Sequence, residues 1–317
     1  MLQNIKVQTV QLPDGREIKL ETGRLARQAH GSVVVSMGKA MLLATVVSSH
    51  TAKSGIDFLP LTVDYREKFA AAGKFPGGYI KREGRPNNNE ILVMRLVDRV
   101  LRPLFPKNYH NETQVMIQLM SYDPEVAADA LAGFAASAAL ALSDIPFDGP
   151  ISEVRVARIG GEFVINPSFE ALKEADIDLM VGASADSIMM IEGEMDEVSE
   201  DEMIEAISVA HETIKLQCAA QLALAEAAGN AYPKRDIEVA EFNEVLYNTL
   251  EQATGDRLRE ISRSGTSKVE RTEGFSALFT EFMDGLSEED QEVHGEEYKT
   301  YFGKLKKEII RQTVLND

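Results

Sequence analysis

Polar and apolar residues alternate from Ile5 to Leu12, a period of two that predicts a half-buried strand. Pro13-Asp14-Gly15 then turns the chain into a second strand at Glu17–Glu21. The runs SVVVSM and MLLATVVSS flank Gly38-Lys39-Ala40 and predict a hairpin, and FLPLTVDY (Phe58–Tyr65) predicts a further strand. A Gly/Pro-rich loop from Gly73 to Asn89 leads into a helix that stops at Pro103. QVMIQLMSY (Gln114–Tyr122) reads as a strand and Val126–Leu142 as a helix whose alanines allow close packing on a sheet. EVRVARIGGEFVINP predicts a hairpin turning at Gly160-Gly161, and IDLMVGAS with DSIMMIEGE another strand pair. Ser199 and Glu202 have the spacing of a capping box, opening a helix that reaches about Ala228.

This order of elements predicts an α+β sandwich over residues 1–232. The stretch GNAYPKRDIEVAEF (Gly229–Phe242) reads as a domain exit, and residues 238–317 carry helical periodicity without a strand, predicting a small all-helical domain. No internal repeat is present.

Charge changes the picture. With 33 basic and 51 acidic residues the net charge is −18, which argues against whole-surface binding to nucleic acid or an anionic membrane but leaves room for a focused basic site. One stretch runs against the trend: Gly77–Lys107 holds seven basic residues and three acidic ones. Asn87-Asn88-Asn89 supplies N-cap candidates for its helix. At about 100° per residue, Arg95, Arg99 and Arg102 share one narrow stripe opposite Val93, Leu96, Val97, Val100 and Leu101. Just upstream, Tyr79 stands beside Lys81, Arg82 and Arg85 after two glycines. Guanidinium groups match phosphate oxygens, and an aromatic ring beside them can stack a base. Spacing alone leaves two readings open, a solvated salt-bridged face or a face for a polyanion.

Other signals carry less. His211-Glu212-Thr213-Ile214-Lys215 begins like a zinc-protease helix, but Lys215 stands where the second histidine belongs. The acidic run from Glu192 to Glu202 lacks the ordered spacing of a calcium loop and reads as a solvated surface. Neither a G-x-x-x-x-G-K-[ST] loop nor a G-x-G-x-x-G fingerprint occurs. The single cysteine, Cys218, rules out an internal disulfide framework and reads as a packed core residue. The N-terminal segment has no apolar signal region, and the longest small-apolar run, Ala130–Leu142, is too short to span a bilayer, so a soluble cytoplasmic protein without a membrane partner is expected.

The stretch from Asp57 to Pro106, DFLPLTVDYREKFAAAGKFPGGYIKREGRPNNNEILVMRLVDRVLRPLFP, resembles the hallmark region of the bacterial polynucleotide phosphorylase family. The resemblance continues through GFAASAALALSDIPFDGPI (Gly133–Ile151) and the helical C-terminal segment, covering the whole chain. It implies an RNase PH-like βαβα sandwich (residues 1–232) followed by an all-helical domain (238–317), with a second RNase PH-like domain and KH and S1-type domains expected outside this chain. It also implies a homotrimeric ring that shortens single-stranded RNA from the 3′ end with inorganic phosphate, releasing nucleoside diphosphates in mRNA turnover, within a possible RNA-degradation assembly. The phosphate loop, the Mg²⁺ (or Mn²⁺) ligands and the catalytic lysine belong to the other RNase PH-like copy, so no catalytic set is complete here. YDPEVAADALAG lacks a serine-rich phosphate loop, and Asp178-Leu179-Met180 has methionine in place of the lysine, leaving Asp178 a structural role.

By the same resemblance, Tyr79, Lys81, Arg82 and Arg85 line the channel, with Ile80 replacing an aromatic, and Arg95, Arg99 and Arg102 reach RNA and phosphate. Two alternatives remain: a non-catalytic RNA-binding scaffold of an exosome-like ring, or a metabolic enzyme on a similar sandwich whose arginines take a small phosphorylated substrate.

Overall fold

The computed structural model of the chain describes residues 4–53, 56–229, 231–237 and 242–316. The chain divides into two compact units, Met1–Val239 and Ala240–Asp317. The boundary read from the sequence at Glu238 falls outside the described residues.

The first unit contains two sheets. Strands β1 (Lys6–Gln11), β2 (Glu17–Thr22), β3 (Gly31–Met37) and β4 (Ala40–Ser48) form an antiparallel meander, as the alternation predicts. The next strand in sequence, β5 (Leu61–Glu67), does not continue it: β6 (Thr113–Ser121) inserts between β4 and β5 and pairs parallel with β5. A parallel pair needs a crossover connection, and helix α1 (Asn88–Leu101) supplies it. The second sheet is antiparallel in the order β10-β9-β7-β8, built from β7 (Ile151–Ile159), β8 (Glu162–Ile165), β9 (Ala175–Ser184) and β10 (Ile188–Met195).

Three helices touch both sheets. Helix α2 (Ala132–Ala141) packs on β3, β4 and β6 and also on β7; α1 lies against β5 and β10; α3 (Glu200–Ala228) lies on β7, β9 and β1. Every residue of α2 is buried, so its small side chains are what let it sit between two layers. A Cβ on Gly31 of β3 would collide with the Ala139 carbonyl of α2, which requires glycine there. Two cores result: one around Leu42, Tyr65, Val97, Phe134 and Leu140 under the first sheet, another around Val154, Val181, Ala210 and Ile214 between β7, β9 and α3.

Two element boundaries differ from the sequence reading. The helix expected from Val126 is α-helical only from Ala132, after a tight 3-10 turn at Ala128–Leu131. There Asp129 accepts its neighbour Ala130's amide at 2.8 Å and an ion pair from Arg155, which favours the turn over helix continuation. The strand expected from Phe58 starts at Leu61, because Pro60 has no amide to donate to a ladder.

The second unit is helical by itself: α4 (Glu244–Arg263), α5 (Lys268–Asp284) and α6 (Glu288–Asn316) pack around Leu250, Leu258, Phe275, Leu278, Phe302 and Leu305. Among the described residues no helix is long and apolar enough to cross a membrane.

Candidate nucleic-acid interface

Helix α1 is placed by its own first turn. Asn87 accepts the Glu90 amide at 2.8 Å, and Glu90 returns a bond by accepting the Asn87 amide at 2.7 Å. The other oxygen of Glu90 accepts the Glu67 amide of β5 at 2.8 Å, so one buried carboxylate starts the helix and ties it to the sheet edge. Val93, Val97, Val100 and Leu101 face the core, and Arg95 and Arg99 project on the exposed side.

These arginines border a groove of 930 Å³ whose opposite wall comes from the second sheet: Arg155, Asp178, Met180, Glu192 and Glu194. Within it the three predicted arginines behave differently. The Arg95 side chain has no hydrogen bond or ion pair to any described residue. Arg99 donates to Glu192 of β10 at 2.6 Å, with both side chains more than half exposed. Arg102 grips its own helix through Asp98 at 2.6 Å and donates to the Leu59 and Leu61 carbonyls at 2.9 and 3.2 Å. Arg102, expected to reach phosphate, is therefore held at the start of β5, where the Leu59 carbonyl also accepts the Leu61 amide at 2.9 Å.

The helix arginines and Arg85 of the preceding loop line different pockets. The loop before α1 is anchored on the β5 side of the helix start, where Glu83 accepts the Phe69 amide at 3.1 Å and Arg66 donates to the Gly84 carbonyl at 2.8 Å. Tyr79 and Ile80 stand in solvent, and Lys81 and Arg82 bond to no described residue. Arg85 borders a separate pocket with Arg66, Lys68, Lys74, Phe69 and Tyr122.

Sequence reasoning missed Arg155. Its guanidinium bridges Asp129 at 2.7 Å and Asp178 at 3.2 Å on the floor of the groove, and lies over the Phe169 ring at 5.7 Å. Burial pushes the carboxyls of Asp129 and Asp178 above their ordinary value, against the pull of Arg155. Two residues back, Glu153 is fully buried beside Gly133, and burial pushes its carboxyl up to about 8. The alternation in β7 held a usable signal: Glu153 and Arg155 share one face of a strand whose other face is Val154 and Val156.

A divalent cation does not fit here. Arg155 and Arg99 already engage Asp178 and Glu192, and no group of three or more His, Cys, Asp or Glu among the described residues is arranged to hold an ion. The groove can hold an anion at Arg95 and, in exchange for Glu192, at Arg99.

Residues 14–146 match the sequence model for domain 1 of the 3′ exoribonuclease family, RNase PH, and residues 149–213 match domain 2 of the same family. The chain belongs to the 3′ exoribonuclease family. Both matched regions lie in the α/β unit, which is its RNase PH-like part. Over nearly its whole length the chain is also similar to proteins named polyribonucleotide nucleotidyltransferase. It is 55% identical to that of Christiangramia forsetii (98% of this chain, 41% of the relative) and 52% identical to that of Porphyromonas gingivalis (99% and 42%). To that of Bacteroides fragilis it is 54% identical (98% and 44%). The chain thus spans less than half the length of these curated relatives.

Proposed function

We propose that this chain is the N-terminal RNA-binding and ring-forming part of a 3′-to-5′ phosphorolytic exoribonuclease, which degrades RNA with inorganic phosphate to nucleoside diphosphates. The observation that carries the reading is the Arg95–Arg99 stripe on a capped, rigid helix facing a groove, in a chain about half identical throughout to polyribonucleotide nucleotidyltransferases. Phosphorolysis is then electrostatic in this half: guanidinium groups hold the RNA backbone, while the phosphate loop and the Mg²⁺ or Mn²⁺ ligands come from the second RNase PH-like domain of the longer protein. A homotrimer in the cytoplasm, with single-stranded RNA threaded past Tyr79, Lys81, Arg82 and Arg85, completes the proposal.

The chain by itself is proposed to bind RNA without turning it over, since Arg155 engages the carboxylates of Asp129 and Asp178 and Met180 stands where the family's catalytic copy has lysine. The test is twofold. Poly(A) should bind this chain with a steep salt dependence, each neutralised phosphate adding about −0.7 to the log–log slope. In the full-length protein, replacing Arg95 and Arg99 by Ala should weaken RNA binding and slow phosphate-dependent release of nucleoside diphosphates; unchanged rates would overturn the assignment. Phosphorolysis by this 317-residue chain alone would overturn the division of labour.

A further inference from the structure

The pocket at the base of the basic loop has chemistry of its own. It measures 530 Å³, within the range of about 300–1,000 Å³ typical of small-molecule sites, and lies outside the Arg95 groove. The side chains of Lys74 and Arg85 on its wall have no hydrogen bond or ion pair to any described residue. Phe69 and Tyr122, each 45% exposed, border the same space. Neither aromatic residue sits on a slack segment. The Tyr122 amide donates to the Ala71 carbonyl at 3.0 Å, joining the end of β6 to the turn that carries Phe69, and the Lys74 amide donates to the Phe69 carbonyl at 3.0 Å.

The carboxylates in the wall are already engaged. Glu83 accepts the Phe69 amide, Glu90 accepts the Glu67 and Asn87 amides, and Glu67 accepts the Tyr65 hydroxyl at 2.6 Å. Burial also pushes the Glu67 carboxyl above its ordinary value. What remains free is a pair of cations and two partly exposed aromatic rings, the combination that holds a phosphate and stacks a base. Arg85 belongs both to this pocket and to the loop that carries Tyr79, Lys81 and Arg82, so the basic loop leads directly into it.

We propose that this pocket receives one nucleotide of a single-stranded RNA, with the base stacked on Tyr122 beside Phe69 and the phosphate held by Lys74 and Arg85. The inference rests on the RNA-binding reading above and adds Tyr122, Phe69 and Lys74 to it.

The experiment measures binding of a fluorescent oligoadenylate of about twelve nucleotides to the chain across a salt series. Y122A should weaken binding by roughly five- to a hundred-fold, the span of one stacked base, and Y122F should retain it. K74A should reduce the magnitude of the log–log salt slope by about 0.7. Circular dichroism of each variant confirms that it is folded, and 2-aminopurine placed in the oligonucleotide should be quenched by the wild type and less by Y122A. If R95A and R99A weaken binding while Y122A and K74A match the wild type in affinity, slope and quenching, the pocket proposal is overturned and the RNA-binding reading stands. If the wild type does not bind the oligonucleotide at all, both fall.

Discussion

Arg99 of α1 and Glu192 of β10 meet at 2.6 Å across the mouth of the groove, joining the cationic stripe to the edge strand of the second sheet. Both side chains are more than half exposed, and such pairs contribute at most about 1 kcal/mol, so a phosphate can displace Glu192 at little cost. E192Q should therefore tighten oligoadenylate binding a few-fold at low salt and make it more salt-dependent, whereas R99A should weaken it. Fluorescence anisotropy at two salt concentrations checks this; equal affinities for wild type and E192Q would show that the pair does not compete with RNA.

Arg102 should behave as a structural residue. Its guanidinium satisfies Asp98 and the carbonyls of Leu59 and Leu61, and loss of such bonds typically costs about 1–3 kcal/mol. R102A is expected to lower the thermal midpoint by several degrees, with a smaller effect on RNA affinity than R95A. A variant with unchanged melting and strongly reduced binding would restore the phosphate-binding role.

Glu153 makes the α/β unit pH-sensitive. Its carboxyl is raised from an ordinary 4.5 to about 8 by burial, so between those values the folded chain keeps a proton that the unfolded chain releases. The unfolded state then binds fewer protons, and stability falls as pH rises through this window. Asp129, also raised, acts in the same sense. E153Q, which cannot ionise, should flatten the pH dependence and be more stable relative to wild type at pH 8.5 than at pH 5. Urea denaturation at both pH values checks this, and parallel pH profiles would contradict it.

Cys218 should be inert until the chain unfolds. Its thiol is buried in α3 and pushed up to about 12, so almost no thiolate exists at neutral pH. Labelling by a thiol reagent should track the unfolding transition in urea; fast labelling of the native protein would show an open route to the α3 core.

Local chemistry explains what the sequence disclosed. The helix over Asn88–Leu101, its Asn87 cap and the Ser199 capping box follow from short-range spacing, and the structure places them where that spacing does. The hairpin at Gly38 and the turn at Gly160-Gly161 follow from the need for left-handed backbone. Long-range events were hidden. Nothing local signals that β6 inserts between β4 and β5, since that choice is made by the crossover through α1. Helical geometry put Arg102 on the stripe, but its partners lie more than forty residues away in sequence, at Leu59 and Leu61. Arg155 drew no attention because its meaning depends on Asp129 and Asp178, each more than twenty residues distant and brought together only by folding.

The anchoring of α1 has one more effect. β5 is the outermost strand of its sheet, a position that ordinarily offers unpaired amides and carbonyls to any passing chain. Glu90 occupies the Glu67 amide and Arg102 the Leu59 and Leu61 carbonyls, so the two side chains that fasten the helix also blunt this border against intermolecular strand pairing and the aggregation it seeds.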